Sequence, residues 1–293
     1  MMDLTPEIER NITAALAEDV ATGDLTALLT PDKPDAQAQV ICRQDAVLCG
    51  TAWFEACVHR LDPRATLRWL NRDGDRVAAG AHLCAISGSS RALLTAERTA
   101  LNFLQLLSAV ATATRRYVDA VAGTRAAILD TRKTLPGLRI AQKYAVTVGG
   151  GVNHRMGLWD AILIKENHIA AAGGIRPALA AATRLADRAL WIQIEVETLA
   201  QLQEAVAAGA KMILLDNMSP AQMREAVVWT AGRAQLEASG GITLDNVRAI
   251  AETGVDRISI GALTKDIAAV DLSLRFSAGA ASSGQNPVNT EGA

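Results

Sequence analysis

The sequence predicts an α/β protein in two parts, a small N-terminal α/β sandwich domain and an open, incomplete α/β barrel of the TIM type. Three observations support this fold class. The 293 residues suffice for one or two domains. Near Thr95, short apolar runs broken by turn residues give way to a more regular pattern. After residue 126, runs rich in Ile, Leu and Val alternate with Ala-rich helical stretches, as in successive βα units.

The first part, residues 1–107, is predicted to combine short strands with helices. Apolar residues from Val40 to Leu48 recur in a partly alternating pattern that suits half-buried strands. Asp73-Gly74 marks a turn between such runs. From Arg91 to Val121 the apolar residues recur at helical spacing without Gly or Pro, so a long helix is expected to lead into the second part.

The second part, residues 108–266, is predicted to form the barrel. Its expected strands are mostly apolar at consecutive positions, as buried parallel strands tend to be; they are AAILD, DAILIK, WIQIEVE, KMILLD, AQLEAS and DRISIG. Polar groups end many of these strands, and barrel active sites gather at the C-terminal strand ends. An open doubly wound sheet would use mainly its switch point. Six or seven strands are too few for a closed barrel, so we expect an open one.

Composition and charge limit which partners and which cellular compartment can be expected. Lys and Arg number 29 against 31 Asp and Glu, which predicts neither a nucleic-acid partner nor binding to an anionic membrane. No apolar run approaches the roughly 20 residues that span a bilayer, and the charged N-terminus lacks signal-peptide features. We therefore expect a cytoplasmic protein. The small polar residues 277–293 are predicted to be a disordered tail.

The four cysteines lie in the first third of the chain, and no two of them have the spacing of a CxxC pair. A zinc site or a redox motif would need closer clustering. We therefore expect small buried hydrophobic side chains rather than metal ligands or disulfides; the residues are Cys42, Cys49, Cys57 and Cys84.

Cationic side chains gather in two segments next to predicted strands. DTRKTLPGLR contributes Arg132 and Lys133, and the segment that begins with GGGVNHR contributes His154, Arg155 and Lys165. A fold seldom collects fixed cations without an anion to hold, because they repel one another and lose hydration. A solvated basic face is the alternative, but it does not explain why Lys165 directly follows the apolar run AILI.

Two carboxylates end successive predicted strands. Glu195 closes IQIE and Asp216 closes MILLD. On adjacent strands they would face one cavity and could hold Mg²⁺ directly or through water. A structural ion-pair network is the alternative.

Two loops of small residues follow the late strands, SGGI from Ser239 and the turn within ISIGAL. Glycines in such loops let backbone N–H groups approach a phosphate, and phosphate sites after the last two strands recur in barrels. The residues thus predict a cavity for a sugar phosphate with Mg²⁺ and an anionic co-substrate.

Together these motifs resemble the quinolinate phosphoribosyltransferase family. DTRKTLPGLR, GGGVNHRMGLWDAILIKENHI, EVE, LLDN and SGGI occur in the family's order, and the likeness runs from EDVATGDLT near residue 18 to IGALTK at residue 265. The resemblance implies that quinolinate and phosphoribosyl pyrophosphate give nicotinate mononucleotide, pyrophosphate and CO₂ in NAD synthesis. It also implies a homodimer with shared active sites, and a final helix at 267–276 that packs back on the N-terminal domain.

The same resemblance implies residue roles. The quinolinate carboxylates would be held by Arg132, His154, Arg155 and Lys165, with Arg98 arriving from the second subunit. The implied catalytic residues are Lys133, Lys165, Glu195 and Asp216.

For phosphoribosyl pyrophosphate, Lys133 would be one contact, and Glu195 and Asp216 would bind the ribose hydroxyls and Mg²⁺. The remaining implied binding positions, which include those for the 5-phosphate, are Thr131, Ser239, Gly240, Gly241, Ile260, Gly261 and Ala262.

Three alternatives stay open at this point. A molybdenum-transport-associated homologue or a nicotinate phosphoribosyltransferase would act on another anionic acceptor. A Schiff-base aldolase would use Lys165 as its nucleophile, although the neighbouring Arg132 and Arg155 suit anion binding better. A non-catalytic phosphate-binding regulator is the third, but nothing resembling a DNA-binding module accompanies the barrel.

Overall fold

A computed structural model describes residues 3–277. Its N-terminal part mixes helices with short strands and ends in one long helix. The elements are α1 (Thr5–Asp19), β1 (Ala36–Cys42), β2 (Ala46–Val47), α2 (Thr51–Leu61), β3 (Thr66–Trp69), β4 (Arg76–Val77), β5 (His82–Gly88) and α3 (Ser90–Ala120).

The main sheet of this part is antiparallel and packs one face on helices. β5 lies between β1 and β3. Along β1 the buried residues alternate, with Ala38, Val40 and Cys42 facing the core that also contains Trp53 and Phe54 of α2. This period of two is what a strand with one covered face requires. All four cysteines are buried thiols that form no disulfide, and their predicted burial is confirmed.

Helix α3 joins the two parts of the chain. The side chain of Ser89 caps it by accepting a hydrogen bond from the backbone N–H of Ala92 at 3.3 Å. Leu101 and Leu104 pack in the first core, whereas Tyr117, nearer the C-terminus, packs in the second. The long helix predicted here is confirmed, and the predicted domain boundary at 107/108 falls inside it.

The second part alternates strands and helices. Its elements are β6 (Ala127–Leu129), α4 (Arg139–Val148), β7 (Ile162–Ile164), α5 (Glu166–Ala172), α6 (Ile175–Thr183), β8 (Ile192–Val196), α7 (Leu199–Ala207), β9 (Met212–Asp216), α8 (Pro220–Thr230), β10 (Gln235–Ser239), α9 (Val247–Ala251), β11 (Arg257–Ser259), α10 (Ala262–Lys265) and β12 (Leu272–Phe276). Single 3₁₀ turns occur at Ala27–Leu29 and Ala186–Arg188.

Six of these strands form one parallel sheet in the order β6-β11-β10-β9-β8-β7. Within residues 3–277, β6 and β7 are its edges and are not paired with each other. The barrel is therefore open, and the predicted fold class is confirmed. Within the same range, no helix combines the length and apolar character needed to cross a membrane.

The predicted final helix at 267–276 is wrong. Leu272–Phe276 is a strand that pairs antiparallel with β1 and so extends the N-terminal sheet. Leu272 and Leu274 are buried while Ser273 and Arg275 are not, a period of two that fits a sheet edge and not a helix. The rest of the predicted tail, residues 278–293, lies outside the described residues.

The segment that follows α4 approaches α3 closely because it begins with three glycines. A Cβ atom on Gly149 would lie 2.6 Å from the carbonyl oxygen of Ala111, and one on Gly151 would lie 2.8 Å from Cγ2 of Thr114. Real Cβ atoms do not come this near, so larger residues would push the segment away from the helix. The chain beyond these glycines then runs to the C-terminal edge of the barrel.

A fully buried ion pair fixes the same segment. Lys143 of α4 and Asp130, at the end of β6, contact each other with no exposed side-chain surface. Asp130 also accepts a 2.9 Å hydrogen bond from the backbone N–H of His154, and Lys143 donates to the carbonyl of His154 at 3.1 Å. Burial raises the pKa of Asp130 to about 6 and lowers that of Lys143.

Lys143→Met should lower the free energy of unfolding by about 3–5 kcal/mol near neutral pH, because it leaves the Asp130 charge buried without a partner. Denaturant titration measures this, with the exposed Lys211→Met as the control. Lys143 lowers the pKa of Asp130, so without it that carboxyl should take up a proton at a higher pH, and the loss should shrink as the pH falls from neutral toward about 6. A loss below about 1 kcal/mol, or one that grows toward acid pH, would contradict this assignment.

Candidate active site

A cavity of about 710 Å³ opens at the C-terminal ends of the barrel strands. Fourteen of the fifteen residues predicted for the site line it, all except Arg98. They come from both edges and from the middle of the sheet; they are Thr131, Arg132, Lys133, His154, Arg155, Lys165, Glu195, Asp216, Ser239, Gly240, Gly241, Ile260, Gly261 and Ala262.

Glu195 and Asp216 form the acidic wall of the cavity. Asp216 is the last residue of β9, and Glu195 is the last residue but one of the paired strand β8. The Glu195 side chain is almost buried, and Lys165 Nζ lies 2.8 Å from its Oε2 atom. Burial raises the pKa of Glu195 above its usual value, and the charge of Asp216 adds to that rise while Lys165 opposes it. The two carboxylates are thus close enough to repel each other.

Asn217 orients the second carboxylate and was not predicted as a site residue. Its Nδ2 atom donates to Asp216 at 2.8 Å, and its backbone adopts a positive φ of 54°. A Cβ atom on Gly240 would lie only 2.0 Å from the Asn217 side-chain oxygen, and Gly240 itself has a φ of 97°. The glycine is therefore required by both backbone conformation and space.

Arg155 and Arg132 form the cationic wall. Arg155 is 8% exposed, and its Nη1 atom donates to the carbonyl of Ala161 at 3.3 Å. Burial lowers the pKa of the Arg155 guanidinium, and the charge of Arg132 lowers it further. Both side chains nevertheless remain cations, because arginine does not deprotonate in proteins. Two like charges held together at a cavity wall are suited to a ligand with more than one negative charge.

His154 belongs to a buried polar chain that runs into the barrel. Its Nδ1 atom accepts from the backbone N–H of Arg155 at 2.9 Å, and its Nε2 atom lies 3.1 Å from Gln193 Oε1. Gln193 donates in turn to Glu237 at 3.0 Å. Burial lowers the pKa of His154, which favours the neutral ring with its proton on Nε2. In this arrangement the histidine supports the backbone of Arg155.

Lys133 lies over the turn that follows β11. A Cβ atom on Gly261 would come within 3.0 Å of Lys133 Cδ and 3.8 Å of its Nζ atom. The absence of a side chain at Gly261 therefore gives the lysine its place beside the Ile260–Ala262 turn. Lys133 and the residues of this turn line the same cavity.

The floor of the cavity contains residues that sequence reasoning missed. They are the inward-facing positions two residues before the predicted strand ends, namely Leu163, Leu214, Glu237 and Ser259. Side chains alternate along a strand, so counting back by two from Lys165, Asp216, Ser239 and Gly261 would have found them. The rim adds Ile242, Thr243, Lys265 and Asp266.

Arg98 does not reach this cavity within its own chain. It is exposed on the N-terminal half of α3. On the same stretch of helix, Thr95 donates a hydrogen bond to Asp24 at 2.9 Å and Thr99 donates to Asp19 at 3.1 Å. Arg98 therefore belongs to the surface where residues 19–29 pack on α3.

Comparison with known proteins agrees with this geometry. Residues 24–108 match the N-terminal domain of quinolinate phosphoribosyl transferase, and residues 110–275 match its C-terminal domain. The chain belongs to the quinolinate phosphoribosyltransferase family. A relative from Bacillus subtilis, named a probable nicotinate-nucleotide pyrophosphorylase (carboxylating), is 41% identical, with 88% of this chain and 89% of the relative aligned. A chloroplastic enzyme of that name from Arabidopsis thaliana is 39% identical over 93% of this chain and 83% of its own.

Solved structures show the same relationship. The nicotinate-nucleotide pyrophosphorylase from Francisella tularensis superposes with a TM-score of 0.90 at 46% identity, covering 93% of this chain and 96% of the other. Human nicotinic acid phosphoribosyltransferase superposes with a TM-score of 0.58 at 15% identity, covering 95% of this chain and 74% of the other, and shares the fold alone. Membership of the family is therefore supported by relatives of about 40% identity or more, and the fold itself also occurs in a more distant protein.

The titration of Glu195 should report the charges around it. We expect its pKa to lie above 4.5, to fall in Asp216→Asn, which removes the neighbouring negative charge, and to rise further in Lys165→Met. Carboxyl ¹³C NMR across a pH series measures this, with the exposed Asp187→Asn as the control. A value that moves in the same direction in both variants would rule out this arrangement of charges.

Proposed function

We propose that this chain transfers the phosphoribosyl group of phosphoribosyl pyrophosphate to quinolinate and releases CO₂, giving nicotinate mononucleotide and pyrophosphate. The observation that carries the proposal is the pairing of a cationic wall, Arg132 and Arg155, with an acidic wall, Glu195 and Asp216, across one cavity. A dianionic acceptor and a donor that develops positive charge on its ribose need opposite surroundings. Close relatives at about 40% identity carry the corresponding enzyme names.

The acceptor end of the proposed site is the cationic wall. Arg132, Arg155 and Lys165 supply charged donors for the two adjacent carboxylates of quinolinate, and charge-assisted bonds of this kind are stronger than neutral ones. His154 borders the same wall and holds the backbone of Arg155. Because the wall is partly buried, each cation gains more from an anion than it would at an exposed surface.

The donor end lies along the late strands. Lys133, beside Gly261, is placed for the phosphate groups of phosphoribosyl pyrophosphate. Ser239, Gly240 and Gly241 on one side and the Ile260–Ala262 turn on the other offer backbone N–H groups and small side chains. Positive φ angles at Gly240 and Gly241 belong to the kind of concave loop in which such N–H groups surround an anion.

Glu195 and Asp216 are the proposed residues for Mg²⁺ and the ribose hydroxyls. Among residues 3–277 no group of three His, Cys, Asp or Glu side chains could hold a metal by itself. Two carboxylates suit Mg²⁺, which keeps several waters and shares its remaining ligands with substrate phosphates. When bound, the ion would offset the negative charge of the departing pyrophosphate.

The chain's own residues account for the rest of the chemistry. As the bond from the anomeric carbon to the pyrophosphate oxygen breaks, Glu195 and Asp216 stabilise the positive charge on the ribose. The cationic wall holds quinolinate so that its ring nitrogen forms the new bond to that carbon, a proximity effect. The ring nitrogen becomes cationic, and its charge stabilises the electron pair that stays on the 2-carbon when CO₂ leaves. A proton then replaces the carboxylate.

The alternative of a Schiff-base aldolase fits the site less well. Lys165 Nζ lies 2.8 Å from Glu195 Oε2, so the nitrogen that would have to attack a carbonyl is engaged in an ion pair. Nicotinate phosphoribosyl transfer is the second candidate, since human nicotinic acid phosphoribosyltransferase shares the fold. The two cations of the partly buried wall favour an acceptor with two carboxylates over one with a single carboxylate.

A homodimer with shared active sites is part of the proposal. Arg98 lies outside its own cavity and is exposed, so a second chain is the route by which it could complete a site. Large apolar side chains are exposed on both surfaces that would meet. Leu25, Leu28 and Leu29 lie in the segment that packs on α3, and Leu158 and Trp159 lie beyond Arg155 near the cavity. Such patches mark protein interfaces more often than free surface.

We also infer a cytoplasmic location. The four cysteines remain buried thiols, which suits a reducing compartment. Cell fractionation of the natural host, with activity found chiefly in a membrane or extracytoplasmic fraction, would contradict this.

The reaction is tested directly by CO₂ release from carboxyl-labelled quinolinate. We expect release only when quinolinate, phosphoribosyl pyrophosphate and Mg²⁺ are all present, with nicotinate mononucleotide as the product, and EDTA should abolish it. Nicotinate offered as the acceptor should give little product. Equal use of nicotinate would favour the alternative acceptor, and full activity in EDTA would overturn the carboxylate assignment.

The shared site is tested by mixing two inactive variants, Arg98→Ala and Lys165→Ala. A heterodimer places both lesions in one composite site and leaves the other intact, so activity should return. At random exchange half of the dimers are heterodimers with one working site of two, which sets a ceiling of about a quarter of wild-type activity. Size-exclusion chromatography of a tagged and an untagged subunit confirms exchange. A mixture that exchanges but stays inactive would place Arg98 in its own chain's site or in none.

A further inference from the structure

Two substrate loops of the cavity meet over a single buried amide. The first loop follows β6 and carries Lys133, and most of its residues from Lys133 to Gly137 are exposed at the rim. The second is the turn at Gly261 after β11, together with the short helix α10 that follows it. Between them lies Gln142 of α4, which is fully buried; the other buried residues of this helix are Ala141, Lys143, Ala145 and Val146. A buried amide is costly unless both of its ends are hydrogen-bonded.

Both ends of Gln142 are bonded, each to a different loop. Its Oε1 atom accepts from the backbone N–H of Leu135 at 2.8 Å. Its Nε2 atom donates to the backbone carbonyl of Thr264 at 3.0 Å. Thr264 is also fully buried, and its hydroxyl donates to the carbonyl of Lys133 at 2.8 Å. Two of these three bonds join residues 122 and 131 positions apart in the chain, and the third joins residues seven apart.

These three hydrogen bonds of Gln142 and Thr264 form a joint between the loop and the turn, next to the contact between Lys133 and Gly261. The Lys133 side chain occupies the space that a Cβ atom on Gly261 would need, because such a Cβ atom would lie 3.0 Å from Lys133 Cδ. The outer end of the same loop is held separately, because Arg10 of α1 donates to the carbonyl of Gly137 at 2.6 Å. Of the hydrogen bonds named here, those made by Gln142 and Thr264 connect the loop to the turn.

We propose that Gln142 is a positioning residue whose buried amide sets the separation of the Lys133 loop and the Gly261 turn, so that both close on the same phosphate-bearing substrate. The identity of that substrate rests on the proposed function. The joint itself rests on the hydrogen bonds. Gln142 touches no substrate; it acts through Lys133 and the backbone of the turn.

The test compares Gln142→Met, which keeps the shape and removes both hydrogen bonds, with the exposed Gln203→Met as the control. We expect the KM for phosphoribosyl pyrophosphate to rise by about tenfold or more, because small displacements of positioning groups are costly to catalysis, and the melting temperature to stay within a few degrees. Thr264→Val, which is nearly isosteric, should act in the same direction and serves if Gln142→Met does not fold.

A double mutant separates positioning from a general structural effect. If Gln142 acts through Lys133, then Gln142→Met should add little in a Lys133→Ala background. Effects that multiply in the double mutant, or an unchanged KM in both Gln142→Met and Thr264→Val, would overturn the proposal.

Amide hydrogen exchange gives a readout that does not depend on the reaction. The N–H of Leu135 should exchange at least about tenfold faster in Gln142→Met, because its acceptor is gone, and should be unchanged in Gln203→Met. If Lys133→Ala left the KM for phosphoribosyl pyrophosphate unaltered, the assignment of Lys133 in the proposed function would fail, and the exchange rate would decide the joint by itself. Unchanged exchange would overturn the joint.

Discussion

The buried pair between Asp130 and Lys143 is the interaction on which the site depends. It joins the end of β6, helix α4 and the backbone of His154 at one point inside the protein. Burial shifts the pKa of both partners toward their neutral forms, so the pair is costly in stability. What the ion pair contributes is a fixed position for the backbone around it. With the three glycines that pack on α3, it fixes the segment that presents Arg155 to the cavity.

The barrel interior also contains polar groups that cost stability and support the site. Barrels of this kind are usually filled by branched apolar side chains, whereas here Gln193, Glu237 and Arg257 lie beneath the cavity. Within residues 3–277 one oxygen of Glu237 has no hydrogen-bond partner although the side chain is 1% exposed. Polar groups in a protein core that do not maximise stability are expected near a functional site. The polar interior supports the cationic wall from below, through His154.

Most of the fold and much of the site were predictable from the sequence, for physical reasons that differ by element. Buried parallel strands are apolar on both faces, so the strands and their polar ends, such as Lys165 and Asp216, stand out. The strand Leu272–Phe276 was predicted as a helix because the family resemblance was given more weight than the alternation of apolar and polar residues in this segment. Glu237 could have been found by counting back two residues from Ser239, whereas Asn217 was missed because its role depends on contacts between neighbouring loops that no local pattern encodes. Arg98 lies outside the cavity of its own chain, and its proposed role in the site of a second chain is one that local patterns cannot place.

The central claim is that a rigid, partly buried cationic wall binds the dicarboxylate acceptor. The most direct measurement is kcat/KM for quinolinate in Arg155→Ala beside the exposed Arg184→Ala. Loss of one charge-assisted bond, about 1.5–3 kcal/mol, predicts a fall of at least roughly tenfold in Arg155→Ala. Arg184→Ala should match the wild type, and both variants should remain folded. Unchanged kinetics in a folded Arg155→Ala would contradict the account.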